Sequence, residues 1–133
     1  MAEPMQVEVV SADQVVWSGQ ATNIIAKTVE GDIGILAGHS PVLGVLVPSG
    51  LEVLTPDGKR EIIAVDGGFI SVAHGRVSIL SEYARMAGEI SLPAAEKELA
   101  EAQARLDAGD EDEETRRHFV RASGQVRAAQ KAQ

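Results

Sequence analysis

A mainly β N-terminal sandwich of about ten short strands, followed by a C-terminal antiparallel two-helix hairpin, is the fold class the sequence predicts. Two observations carry this expectation. From residue 5 to 81, short apolar runs are separated by turn residues about every eight to twelve positions, the pattern of an antiparallel sandwich or barrel. Beyond residue 85 the apolar spacing changes from two to about three and a half, which is helical. The 133 residues therefore divide into a sandwich over 1–85 and a helix-turn-helix hairpin over 86–133, with helices at about 92–107 and 112–130.

In chain order, Met5, Val7 and Val9 alternate with Gln6 and Glu8, and the run 15–17 closes at Ser18 and Gly19. Residues 22–29 alternate around Ile24, Ile25 and Ala26. The next stretch, EGDIGILAGHSPVL at 30–43, spaces Gly31, Gly34 and Gly38 around a short apolar run, so it reads as a strand bracketed by tight corners. His39 and Ser40 precede Pro41, which pushes Ser40 toward extended geometry and leaves the histidine on a bend. Such a corner is either a local structural turn or a contact point. Residues 42–47 are almost wholly apolar and end at Pro48, Ser49 and Gly50. The runs 51–54 and 61–65 flank Pro56, Asp57 and Gly58 as a hairpin, and Gly67 with Gly68 opens a strand at 69–73. His74 and Gly75 then turn the chain into 77–80.

Leu92, Ala95, Leu99, Ala102 and Leu106 lie on one helix face. Ser91 is suited to the N-cap, Pro93 is tolerated in the first turn, and Asp107, Ala108 and Gly109 stop the helix. Asp110 or Asp112 caps a second helix, with Glu113 and Glu114 at its positive end. Its stripe of Thr115, Phe119, Ala122, Val126 and Ala129 matches the first helix across a short connection. Five larger side chains, at roughly 1.5–3 kcal/mol each when fully buried, set a ceiling of about 10 kcal/mol for this alanine-rich seam. At 100° per residue, Arg116, Arg117, Arg121, Arg127 and Lys131 fall opposite the stripe, as a solvated face or as a contact surface.

The formal charge of −8 argues against a nucleic-acid-binding role, which needs a basic surface. Residues 1–84 hold ten acidic against four basic side chains and residues 85–133 hold ten against eight, so the helical part is the more cationic. There is no cysteine, which fits a reducing compartment, and neither a signal peptide nor a membrane helix is expected. His39, His74 and His118 have no metal-ligand spacing, Ser40 lacks a nucleophile elbow, and no phosphate-binding glycine loop occurs. No metal or cofactor site is therefore expected.

The block GDIGILAGHSPVL resembles the signature of the epsilon subunit of bacterial F-type ATP synthases, with Ala37 in place of the usual proline. VDGGFISV followed by VSILSEYA, and VVSADQVVWSG near the start, are similar to the same family, so the likeness covers about the first 85 residues. This resemblance implies a non-catalytic central-stalk rotor subunit of a proton- or sodium-translocating F-type ATP synthase. Its partners would be the gamma subunit, the c ring and, through the C-terminal arm, the alpha and beta subunits. It would sit peripherally on the cytoplasmic face of the bacterial plasma membrane, attached through the complex. By the motif match, Glu30, Gly31 and Asp32 correspond to the ring-contacting corner, and Ser11 and His39 to the gamma-facing side. Arg117, Arg121, Arg127 and Lys131 are the basic residues an extended arm would present to the catalytic subunits when it inhibits hydrolysis.

Some bacterial members bind ATP on the hairpin through a motif [IL]-D-x-x-R-A. Here the aligned residues are Ile90, Ser91, Leu92, Pro93, Ala94 and Ala95, so the acidic and arginine positions are lost and ATP binding is expected to be weak or absent. On residues alone a second reading stays open, a small soluble β-sandwich binding domain or barrel enzyme with an unrelated helical tail.

Overall fold

The structure, a computed structural model, describes residues 3–132; Met1, Ala2 and Gln133, at the ends of the two expected units, lie outside the described residues. Eight strands precede two helices: β1 (Met5–Val10), β2 (Val15–Ala21), β3 (Asn23–Thr28), β4 (Gly31–Leu36), β5 (Val42–Leu54), β6 (Arg60–Ala73), β7 (Arg76–Leu80) and β8 (Ala84–Met86). A 3-10 turn (Ala87–Glu89) leads to α1 (Leu92–Asp107) and α2 (Glu113–Ala132).

The strands form one continuous sheet in the order β2-β1-β7-β6-β5-β3-β4, with β8 added beside β6. It folds over on itself because β5 and β6 are long enough to serve both layers. Residues 42–46 of β5 and 68–73 of β6 join β7, β1 and β2 in a first layer. Residues 50–54 of β5 and 60–66 of β6 join β3, β4 and β8 in a second. The expected breaks at Pro48 to Gly50 and at Gly67 with Gly68 are thus corners inside two strands rather than strand ends. Pro48 has no N–H, but it stands opposite Asp66, whose own N–H goes to the Tyr83 carbonyl at 3.2 Å, so the ladder passes the corner without that bond. Gly68 is obligatory there: its φ is +110°, and a Cβ would lie 1.9 Å from the Leu80 carbonyl oxygen.

Period-two alternation places Met5, Val7 and Val9 of β1 inward, against Ile70 and Val72 of β6 and Val77 and Ile79 of β7. Ile24, Ile35, Leu51, Val53 and Ile63 fill the same core from the other layer.

Ser91 caps α1 by accepting the Ala94 N–H at 3.3 Å. Asp112 Oδ1 accepts the Glu114 N–H at 3.0 Å and opens α2. Of the α1 stripe, Ala95 and Ala102 are buried while Leu92, Leu99 and Leu106 stay half-buried, so the seam between the helices falls short of its ceiling. The hairpin does not stand free. Ala128 of α2 is fully buried against Ile62, Ala64 and Ala87 on the outside of the second layer.

Candidate functional site

The outer face of the first layer is left bare. Direct register pairs carry an apolar row across five strands, from Val45 to Phe69 to Leu80 to Val10 to Val15, with Leu43 beside it. Leu43, Phe69 and Leu80 are 72, 51 and 53% exposed. They are outward positions of strands whose inward positions fill the core, so their exposure follows from the pleat, and an uncovered row of this kind marks an interaction face.

Ser11 borders this row. Its hydroxyl lies 3.3 Å from the Gln14 carbonyl and 3.4 Å from Asp13 Oδ1, holding the β1–β2 turn beside a shallow depression of about 360 Å³ lined by Val10, Phe69 and Leu80. His39 stands on the connection from β4 into β5, the strand that carries Leu43 and Val45. Its Nδ1 donates to the Ser40 carbonyl at 2.6 Å, and its N–H donates to the Leu36 carbonyl at 3.0 Å. Nothing brings Ser11 and His39 into contact; the apolar row is what they share.

Glu30, Gly31 and Asp32 form the exposed β3–β4 corner. Thr28 Oγ1 donates to the Gly31 carbonyl at 2.8 Å and accepts the Glu30 N–H at 3.2 Å, so the corner is preorganised. The Val29 N–H donates to the Val45 carbonyl at 2.9 Å, which ties this acidic corner to the apolar row. Sequence reasoning found the corner but missed Leu43, Val45, Phe69 and Leu80. The signal was available, since an apolar residue at an outward position of an otherwise alternating strand is out of phase with burial.

The basic residues of α2, open between a solvated face and a contact surface, divide between the two. They lie opposite the stripe, and part of that side faces the sandwich because α2 lies between α1 and the second layer. Arg121 donates through Nε and Nη2 to Asp66 Oδ2 at 3.2 and 3.1 Å, with its guanidinium 4.7 Å from the centre of the Tyr83 ring. Arg127 Nη1 donates to the Pro48 carbonyl at 3.3 Å. Lys131 Nζ donates to the Gly50 carbonyl at 3.4 Å and lies 3.7 Å from Glu52 Oε2. Glu52 is also paired with Arg60, whose guanidinium holds the Glu52 carboxyl below the usual range. Arg116 and Arg117, nearer the start of α2, are exposed, and Arg127 stays exposed beside its carbonyl partner.

Ile90, Ser91, Ala94 and Ala95 border a small hollow of about 180 Å³ with Arg85, Glu89, Glu98 and Gln125. The Ser91 hydroxyl there is engaged as the α1 cap, and Arg85 donates to the Glu89 carbonyl at 3.2 Å. His118 lies 3.8 Å from Glu98, while His39 and His74 sit on separate turns. Among the described residues no helix is long and apolar enough to cross a membrane.

Residues 4–87 match the family model for the ATP synthase delta/epsilon chain β-sandwich domain. An ATP synthase epsilon chain of Rhodococcus erythropolis is 46% identical over 133 residues, 99% of this chain and 100% of that one. That of Streptomyces avermitilis is 48% identical over 108 residues, 81% of this chain and 87% of that one. Among solved structures, a chain of the Euglena gracilis mitochondrial ATP synthase OSCP/F1/c-ring assembly superimposes with a TM-score of 0.75 at 28% identity, covering 97% of this chain and 80% of that one. A chain of the Tetrahymena thermophila mitochondrial ATP synthase central stalk and c ring shares the fold at a TM-score of 0.56 and 16% identity, covering 98% of this chain and 97% of that one.

Proposed function

This chain belongs to the ATP synthase delta/epsilon family and is a non-catalytic accessory subunit of that enzyme, and from this premise we propose that it is a central-stalk rotor component joining the gamma shaft to the c ring. The observation that carries the proposal is the apolar row of Val45, Phe69, Leu80 and Val10, which a shaft subunit would bury. Ser11 and His39 flank that interface. Glu30, Gly31 and Asp32 meet polar loops of the ring at the adjoining rim, where each exposed pair contributes about 1 kcal/mol or less and weakens with salt. Neutralising Glu30 and Asp32 together loosens the coupling of hydrolysis to ion pumping in membranes; unchanged coupling removes them from the ring contact. The alternative of an unrelated binding domain or barrel enzyme loses its support with the family assignment.

The helical hairpin regulates hydrolysis. In an extended position Arg117, Arg121, Arg127 and Lys131 meet acidic segments of the alpha and beta subunits, and Phe119 and Val126 find apolar partners along gamma. ATP itself is held weakly or not at all, because the Ile90 to Ala95 hollow lacks the acid and arginine of the nucleotide motif and is flanked by Glu89 and Glu98. Attachment to the membrane, on the cytoplasmic face in a bacterium, is peripheral and runs through the complex. The test is co-purification with the gamma subunit: wild-type chain is retained, and Phe69→Glu with Leu80→Glu abolishes retention while the circular dichroism stays that of the folded chain. Retention of the doubly charged variant overturns the docking face.

A further inference from the structure

Three of the four cations assigned to the extended arm, Arg121, Arg127 and Lys131, are already in use in the folded one, and the groups that hold them belong to the sandwich. Asp66 Oδ1 accepts from Ser81 Oγ at 2.8 Å and from the Tyr83 N–H at 3.1 Å. Both donors lie on the β6–β7–β8 corner, so they fix the carboxylate whether or not α2 is present. Oδ2 is left to face α2, where it takes both Arg121 N–H groups while the Tyr83 ring supports the guanidinium. The Asp66 side chain is 12% exposed and that of Arg121 40%, so the carboxylate is sheltered while solvent reaches part of the guanidinium.

A second acceptor stands near the far end of α2. Glu52, oriented by Arg60, receives Lys131, and Arg60 Nη1 in turn donates to the Lys131 carbonyl at 3.1 Å, satisfying a terminal helix carbonyl with a cation. Between these two points α2 touches the sheet through Gly124 and Ala128, residues that bury little area. Ionic contacts therefore supply a large share of what holds the arm down.

We infer that Asp66 and Glu52 are preformed acidic receptors on the sandwich that retain the cationic helix, and that they compete for Arg121 and Lys131 with the acidic segments of the catalytic subunits. A guanidinium held at Asp66 on the docked helix cannot at the same time stand against a carboxylate of the catalytic subunits. The sign of the effect follows: removing the arm's cations relieves inhibition of hydrolysis, whereas removing the sandwich's carboxylates deepens it. Both signs rest on the arm being inhibitory, as proposed above; the retention of the docked helix by Asp66 and Glu52 does not.

The chain has no cysteine, so spin labels at Lys59→Cys and Gln130→Cys report the distance from the β5–β6 loop to α2 in the full-length protein. Asp66→Asn raises the undocked population about tenfold, the equivalent of one charge-assisted hydrogen-bonded pair. Arg121→Gln leaves the sandwich untouched and gives the same rise, and the double variant adds little beyond either alone. A distance distribution unchanged in both single variants overturns the receptor role. In the reconstituted enzyme Asp66→Asn lowers ATP hydrolysis below wild type. Wild-type hydrolysis combined with an opened arm leaves the receptors in place and overturns the inhibitory reading instead.

Discussion

Ala128 crosses Gly50 so closely that a Cβ on Gly50 would lie 2.9 Å from the Ala128 Cα and 3.3 Å from the Ile62 side chain. A second small residue repeats the approach on the helix side: a Cβ on Gly124 would lie 3.1 Å from the Pro48 side chain and 3.2 Å from the Ser49 nitrogen. The helix can lie flat on the sheet because each surface puts a glycine where the other approaches most closely. Backbone proximity, more than apolar bulk, sets the docked position of the arm.

Gly50→Val therefore lifts α2 from the sheet. Overpacking of this kind costs about 1–3 kcal/mol, and here the cost falls on docking because the obstructing atom is helix backbone. Hydrogen exchange of α2 should accelerate while the amides of β1 and β7 keep their protection. Slowed or unchanged exchange in α2 would show that the crossing tolerates a side chain.

The sandwich core draws no side chain from either helix, since every buried residue in its main cluster lies between Met5 and Ala84. A fragment of residues 1–90 is expected to fold alone, with a β-dominated circular dichroism spectrum and a cooperative thermal transition. A helical or disordered spectrum would mean that α2 is needed to cover Ile62 and Ala64.

How much of this was legible in the sequence differs between local and remote features. Alternation around Met5, Val7 and Val9, the α1 limits and the Ser91 cap are set by neighbours along the chain, and the reading found them. The number of strands was misread as separate runs because Pro48 and Gly67 look like terminators. Only the partner strand reveals that Pro48 faces an Asp66 whose amide is bound to Tyr83. The side of α2 that faces the sheet is marked by Gly124 and Ala128, which give little hydrophobic signal. Their burial depends on Gly50 far away in sequence. For the same reason the sequence left the basic residues open between a solvated face and a contact surface, since the acceptors Asp66 and Glu52 lie on another unit.

Acid should loosen the C-terminal end of α2. The Arg60 hydrogen bond, first among the causes, and then the charges of Arg60 and Lys131 hold the Glu52 carboxyl below its ordinary value of 4.5 against the opposing effect of burial. A depressed folded value means the pair contributes its stability above pH 4.5 and loses it as the pH falls through the lowered folded value. The Lys59 to Gln130 label distance should be constant from pH 7 to 5 and lengthen below 4.5. Glu52→Gln should abolish that acid response. A response that persists in this variant would assign it to another carboxylate.

ATP hydrolysis by the reconstituted synthase measures the inhibition exerted by the arm. Enzyme carrying residues 1–90 in place of the intact chain is expected to hydrolyse ATP faster. Alanine at Arg117, Arg121, Arg127 and Lys131 together should recover much of the gain, and rising salt should mimic these substitutions in the intact enzyme. Equal rates in the intact, truncated and substituted enzymes would contradict it and leave the helical hairpin as a brace on the sandwich.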